Sequence, residues 1–257
     1  MSNLAGLGVL VTRPEPQAAS LARRLADLSA NVYLLPAMEL RPRADRAAQR
    51  AALGPIDRFQ WIIFISSNAV RFGVQLLDGR RDLKLAAVGP ATAHALNHAG
   101  FRVSLVPASG FNSESLLAAP ELAHVEGQRI LIVRGDSGRE ALADELSARG
   151  ASISYAQVYD RHCSRPIVGA VDAVEALWEK GAIDVITATS PDLLRCLFEI
   201  LTPKGRALLT NATLLAGSAR IASAARQIGL TGPLITSAAP DDDSLLQALT
   251  QWRQGTQ

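Results

Sequence analysis

Arg13 and Arg134 each follow a short, mainly apolar strand-like run, in the segments VLVTR and ILIVR. A guanidinium placed there offers a planar fork of donors that matches a carboxylate, or it closes a structural ion pair at the surface. Polar turns of similar character recur along the chain: Thr12-Arg13-Pro14, Ser66-Ser67-Asn68, Gly89-Pro90-Ala91-Thr92, Arg134 to Gly138, and Thr189-Ser190-Pro191. Where a parallel strand gives way to a helix, backbone N–H groups converge on a crevice and bind anions. The same hydroxylated residues also serve as plain helix caps, so each turn has two uses. Tyr159 follows an apolar strand and carries a phenol, a neutral donor at pH 7. Its hydroxyl either points into a cleft or tips an aromatic side chain that packs the chain there.

Other chemistries lack their local signals. His94 and His98 are four apart on a helical pattern, but no Glu directly follows His94 and no third ligand is evident, so solvent-facing histidines are expected. His162-Cys163 is likewise incidental, and Arg134-Gly135-Asp136 spells an adhesion tripeptide by chance. There is no Walker loop, no G-x-G-x-x-G after a strand and no nucleophile elbow.

These residues sit between elements that can be read from hydrophobic pattern. Strands are expected near 9–12, 32–35, 61–65, 85–88, 102–106, 130–133, 152–158, 184–187, 213–216 and 234–236. Most are continuous apolar runs rather than alternating ones, as in parallel strands buried on both faces. Amphipathic helices lie between many of them. Ala18, Leu21, Ala22, Leu25 and Leu28 form one stripe, and Ile221, Ala222, Ala225 and Ile228 another. Ser190-Pro191 reads as an N-cap with proline at the first helical position, and Gly89-Pro90 opens another helix. Strands alternating with helices imply βαβ units and parallel sheets.

Three kinds of unit each occur twice, in the order first, second, third, first, second, third. VLVTRPEPQAASLARRL pairs with ILIVRGDSGREALADEL, FISSNAVRFGVQLL with TATSPDLLRCLFEIL, and AAVGPATAHALNHAGFRVSLV with LLAGSARIASAARQIGLTGPLI. One grouping makes the middle of the chain a domain inserted into another built from both ends, with crossings at 36–42 and 159–166 and a cleft beside the hinge. A simple split near residue 125 is the competing division.

The chain has 257 residues, enough for two small α/β domains, and 48% hydrophobic residues supply their cores. With 19% charged residues and a net charge of +2, neither a disordered tail nor a nucleic-acid or membrane surface is indicated. Cys163 and Cys196 have no framework spacing, which suggests a reduced compartment. No leader peptide is evident and no apolar run is long enough to span a bilayer, so a cytoplasmic location is expected.

In order and spacing, these motifs resemble the uroporphyrinogen-III synthase family over nearly the whole chain. VLVTRPEPQAASLARRL with a downstream LLP is similar to its N-terminal signature. FISSNAVRF resembles its Thr-Ser-Pro-Asn-Ala-Val stretch, and AVGPATAHAL its Val-Gly-x-x-Thr-Ala segment. ILIVRGDSGREALADELSARGASISYAQVYDR resembles its Arg-Gly, Leu-x-x-Arg-Gly and Val-Tyr-x-Arg elements. Two departures stand out. Ile65-Ser66-Ser67 replaces the commoner Thr-Ser-Pro, which leaves open which serine faces the ligand. Ser218-Ala219-Arg220 replaces a Thr-Thr-Ala-like segment, where Arg220 could stand in for a hydroxyl contact.

The resemblance implies an α/β fold of two flavodoxin-like parallel-sheet domains joined by a two-stranded connector, residues 38–164 being inserted between 1–37 and 165–257, with the cleft as active site. It implies cyclisation of hydroxymethylbilane to uroporphyrinogen III with inversion of ring D and loss of water, without metal or organic cofactor. Tyr159 is the implied catalytic residue, assisting loss of the substrate hydroxyl, and Ser66 and Thr92 are implied cleft residues. With Ser67, Asn68, Ser190 (the repeat partner of Ser66), Arg13 and Arg134 from the polar turns, they form the expected substrate-binding set. A monomer is expected, with the small-molecule substrate as its partner and room for handover from the upstream bilane-forming deaminase. Two rivals from other classes are a cytoplasmic two-lobed anion-binding module without catalysis and a nucleotide-sugar transferase. The second lacks a glycine-rich phosphate loop.

Overall fold

A computed structural model describes residues 4–15, 17–110, 112–136 and 140–255. The chain divides into two units: a terminal unit of Met1–Glu39 with His162–Gln257, and a middle unit of Leu40–Arg161.

In the terminal unit, β1 (Gly8–Val11), β2 (Asn31–Leu34), β8 (Val185–Ala188), β9 (Thr213–Ala216) and β10 (Leu234–Thr236) form a sheet in the order β10-β9-β8-β1-β2. All its pairings are parallel. The helices are α1 (Gln17–Asp27), α7 (Ala170–Glu179), α8 (Pro191–Ile200), α9 (Pro203–Asn211), α10 (Ala219–Gln227) and α11 (Asp242–Gly255). Val9 and Val11 point to a cluster with Ala18, Leu21 and Leu25 of α1 and Leu245 and Leu249 of α11. Leu10, between them, is equally buried on the opposite face. Full burial of each such side chain contributes about 1.5–3 kcal/mol, which is why β1 needs no polar face. Ile228, expected on the apolar stripe of α10, is the residue that ends that helix and is 40% exposed.

The middle unit holds β4 (Trp61–Phe64), β5 (Leu85–Ala87), β6 (Arg129–Gly135), most of β3 (Met38–Pro42) and most of β7 (Ser152–Cys163), in the order β3-β7-β6-β4-β5. The chain passes from one unit to the other within β3 and again within β7. The pairs β4 with β5, β4 with β6 and β6 with β7 are parallel. Its helices are α2 (Arg46–Leu53), α3 (Ser67–Gly73), α4 (Pro90–His98), α5 (Ser113–Leu117) and α6 (Ala141–Ala148). Ile62, Phe64, Leu131 and Val133 face α3 and α4, whereas Ile63, Ile130 and Ile132 face α5 and α6. The parallel sheets expected from continuous apolar runs are therefore present, with both faces covered.

Two elements differ from the sequence reading. Residues 102–106 form no strand; they touch the sheet through one bridge, Ala86 to Leu105, and Pro107, which lacks an N–H, follows closely. The fifth strand is instead β3, in a proline- and charge-flanked segment expected to be only a crossing. A two-sided apolar pattern cannot announce an edge strand such as β3, whose burial falls from Met38 outward.

Cys163 and Cys196 are joined by a disulfide, not free thiols as their spacing suggested. The last residue of β7 lies against α8, a proximity that a separation of 33 residues does not reveal. No helix among the described residues is long and apolar enough to cross a membrane.

Candidate active site

The polar turns all emerge at the C-terminal ends of the strands. In each sheet the strand order reverses at one place, between β1 and β8 in the terminal unit and between β4 and β6 in the middle unit. Open parallel sheets bind ligands outside such places.

In the terminal unit this end is stitched together. Thr12 Oγ1 donates to the Thr187 carbonyl at 2.5 Å, and Thr187 Oγ1 donates to the Leu10 carbonyl at 3.2 Å. Arg13 is 9% exposed; its Nη1 donates to Asp242 and its Nη2 to the Pro240 carbonyl at 2.7 Å. The fork thus braces the start of α11, and Nε is buried without a partner among the described residues. Ser190 caps α8, its hydroxyl accepting from Leu193 N at 3.0 Å. Ser218 precedes α10 with extended backbone and makes no side-chain capping bond.

The middle unit repeats these devices. Ser66 caps α3 by accepting from Ala69 N at 3.0 Å, with Ser67 and Asn68 in the first turn beside it and all three half-buried. Gly89 precedes α4 without a side-chain cap, Pro90 fills its first position, and Thr92 is buried at its third. Arg134 is 4% exposed; its Nη1 donates to Glu140 Oε1 at 2.8 Å and its guanidinium lies over the Tyr155 ring. Its Nε is also buried without a partner among the described residues. Tyr155 Oη donates to the other oxygen of Glu140. That hydrogen bond, and then the one from Arg134, hold the Glu140 carboxyl below its usual range. Burial, and then Glu140, push the Tyr155 phenol up to about 12. Of the turn Arg134 to Gly138, Ser137 and Gly138 lie outside the described residues.

Tyr159 is 2% exposed and belongs to the cluster beneath α3 and α4, its ring centroid 5.3 Å from that of Phe72. Gly135 makes room for it: a Cβ there would lie 2.6 Å from the ring. Its hydroxyl accepts from Arg161 Nη2 at 3.2 Å. Arg161 in turn donates to Asp136 through Nη1 at 3.1 Å and through its backbone N–H at 3.2 Å. Asp136 was read from the sequence only as part of a polar turn and a chance tripeptide, and Arg161 only as the last residue of the Val-Tyr-x-Arg element; neither was expected in the site. The signal was present, because residues two apart on a strand share a face. Asp160, between them, pairs instead with Arg43.

The middle unit therefore brings Ser66, Ser67, Asn68, Thr92, Arg134 and Tyr159 to one edge of one sheet, and the terminal unit brings Arg13 and Ser190 to the matching edge of the other. His94 and His98 are exposed on α4. No metal-binding group of three His, Cys, Asp or Glu side chains occurs among the described residues. A groove of about 410 Å³ lined by Trp178, Asp184 and Asn211 lies at the N-terminal ends of β8 and β9, the edge opposite the polar turns. It has no part in this site.

Residues 19–247 match the family model described as "Uroporphyrinogen-III synthase HemD". Uroporphyrinogen-III synthase of Escherichia coli strain K12 is 34% identical over 253 residues, covering 95% of this chain and all of the relative. That of Salmonella typhimurium is 33% identical, again over 95% of this chain and all of the relative. Among solved structures, a mutant uroporphyrinogen III synthase from the extremely thermophilic bacterium Thermus thermophilus superposes with a TM-score of 0.57 at 19% identity, covering 97% of this chain and 99% of that one. The uroporphyrinogen-III synthetase from Helicobacter pylori 26695 superposes with a TM-score of 0.60 at 14% identity, covering 96% and 100%. These structural likenesses concern the fold alone.

Proposed function

This chain belongs to the uroporphyrinogen-III synthase family, and from that membership we propose that it cyclises hydroxymethylbilane to uroporphyrinogen III, as a lyase of tetrapyrrole biosynthesis. The observation that carries this reading is the 34% identity that runs through 95% of the chain and the whole of its Escherichia coli relative. The reading includes two flavodoxin-like domains, 38–164 inserted between 1–37 and 165–257. The strand order β2-β1-β8-β9-β10 supports it for the terminal unit, since it corresponds to the flavodoxin order 2-1-3-4-5. In the middle unit β5-β4-β6-β7 repeats the first four places and β3 takes the fifth.

Loss of the hydroxyl from the bilane leaves an electrophilic azafulvene. The substituted α-carbon of ring D attacks it to give a spiro intermediate, which fragments and recloses with ring D inverted. The protein's main contribution is to fold the bilane so that this carbon is nearest, which converts a flexible chain into a near-attack conformer. Substrate carboxylates are held at the polar turns, through Ser66, Ser67, Asn68 and Thr92 in one unit and Ser190 in the other, together with backbone N–H groups. Arg13 and Arg134 each brace the turns of their own sheet. A direct carboxylate contact requires Arg13 to leave Asp242 or Arg134 to leave Glu140. Tyr159 donates its proton to the departing hydroxyl. No metal or organic cofactor enters the reaction as proposed. The enzyme acts as a monomer in the cytoplasm and takes its substrate from the deaminase that makes it.

The test is to mix the protein with freshly generated hydroxymethylbilane, oxidise the products and separate the uroporphyrin isomers. A dominant type III isomer is expected. Type I alone, at the rate of a protein-free control, overturns the reading in favour of an anion-binding module.

A further inference from the structure

Arg161 and Asp136 have no part in the reaction as described so far, yet Arg161 contacts the phenolic oxygen that the reaction uses and Asp136 holds Arg161. Arg161 Nη2 donates to Tyr159 Oη at 3.2 Å, and the guanidinium carbon lies 5.4 Å from the ring centroid. The guanidinium is itself held by Asp136 through Nη1, and the other oxygen of the same carboxylate accepts from the Arg161 backbone N–H. The Asp136 backbone closes the circuit, its N–H donating to the Tyr159 carbonyl at 3.0 Å. Phe72 and Gly135 both pack against the ring. Tyr159 is 2% exposed, whereas the side chains of Arg161 and Asp136 are 28% and 31% exposed. A leaving group that approaches the phenol therefore meets it beside the guanidinium.

We propose that Arg161, held by Asp136, is a positioning residue for Tyr159: it occupies a lone pair of the phenolic oxygen and so turns the hydroxyl proton outward, toward the departing hydroxyl of the substrate. A phenol has one proton to give and lone pairs to receive. An arginine can only donate. The contact thus fixes Tyr159 as the donor of its outward hydrogen bond. When that proton passes to the leaving hydroxyl, the C–O bond breaks, water departs and the pyrrole nitrogen's electron pair closes the azafulvene. The negative charge left on Tyr159 then faces a cation already in place, which requires no reorganisation at the moment of reaction. The phenolate recovers a proton from the carbon that rearomatises as the ring closes. This role rests on the proposed function of Tyr159.

The test is a double-mutant cycle on the full chain, with hydroxymethylbilane as substrate and the isomer ratio, kcat and KM as readouts. Arg161→Met keeps an unbranched apolar stem and loses the donor. It is expected to lower kcat about tenfold, a fraction of what general-acid catalysis typically supplies, with KM little changed. In a Tyr159→Phe background the same change is expected to do nothing further, because both remove one device. Arg161→Lys, which can still donate, is expected to recover most of the loss, and Asp136→Asn to give a smaller loss in kcat. Losses that multiply in the double mutant, or a rise in KM at constant kcat, overturn the proposal, the latter in favour of a direct carboxylate contact. If Arg161→Met fails to fold, Asp136→Asn carries the same cycle. Full activity in Tyr159→Phe alone removes the proposed role of Tyr159 and this inference with it; a slow Tyr159→Phe beside an unaffected Arg161→Met removes this inference only.

Discussion

Ser66 and Ser190 hold the same position in two separate units: each is extended backbone before a helix, and each hydroxyl accepts the N–H three residues on at 3.0 Å. Such a cap contributes about 1 kcal/mol, and glycine in its place loses only a few tenths. Ser66→Ala and Ser190→Ala are therefore expected each to lower unfolding stability by about 1 kcal/mol, with Ser→Gly milder, as read from denaturant midpoints. Equal midpoints for the alanine variants and the parent would mean the caps hold nothing.

Activity should rank these hydroxyls differently from stability. Tyr159→Phe is expected to slow turnover without abolishing it, and Ser66→Ala or Thr92→Ala to slow it less, because orientation of the bilane supplies most of the rate. Complete loss of turnover in any of the three, with the circular dichroism spectrum unchanged, would contradict that ordering.

Gly135→Ala offers a test of where the Tyr159 ring sits. The new Cβ would meet the ring at 2.6 Å and its hydroxyl oxygen at 3.0 Å. The ring must shift, at a cost of about 1–3 kcal/mol as for other overpacked cores. Stability and turnover should fall together. A variant with full activity and an unchanged melting temperature would place the ring elsewhere.

The Cys163–Cys196 bond spans 33 residues. Constraining the unfolded chain over such a loop contributes about 3–4 kcal/mol in the chain-entropy account. Incubation with a dithiol should lower the thermal midpoint of the parent and leave Cys163→Ser unaffected. Thiol titration of the untreated, denatured protein should find no free thiol; two free thiols would remove this prediction.

Tyr155 and Glu140 give stability opposite pH limits. The Tyr155 phenol is raised in the folded state to about 12, so the folded chain keeps a proton that the unfolded chain loses. The resulting stability is complete below the ordinary tyrosine range and is lost as pH rises through about 12. Glu140 is lowered, so its contribution is present above the ordinary carboxylate range and is lost as pH falls through its folded value. Tyr155→Phe should flatten the alkaline limb of stability against pH, and Glu140→Gln the acid limb. Parallel curves for parent and variants would show that the pair has no such linkage.

Much of this molecule was legible in its residues. Continuous apolar runs such as VLV at 9–11 and WIIF at 61–64 can be buried only on both faces, so parallel strands covered by helices followed from composition and period alone. Ser190-Pro191 and Gly89-Pro90 marked helix starts because capping is local chemistry within a few residues. Order and spacing of motifs carried the family. Other features were invisible because they depend on which distant segments meet. The β3 strand exists through its neighbour β7, Cys163 finds Cys196 only because β7 ends beside α8, and the fork of Arg13 closes on Asp242 across 229 positions. The Arg161 contact to Tyr159 lies in between. Alternation on a strand sets both side chains on one face, but the Asp136 that orients the guanidinium arrives from just beyond the end of β6. Sequence determined what each segment could be, through local sterics and hydrophobic period; tertiary structure decided the partners of each polar side chain, because a hydrogen bond depends on distance in space and not along the chain.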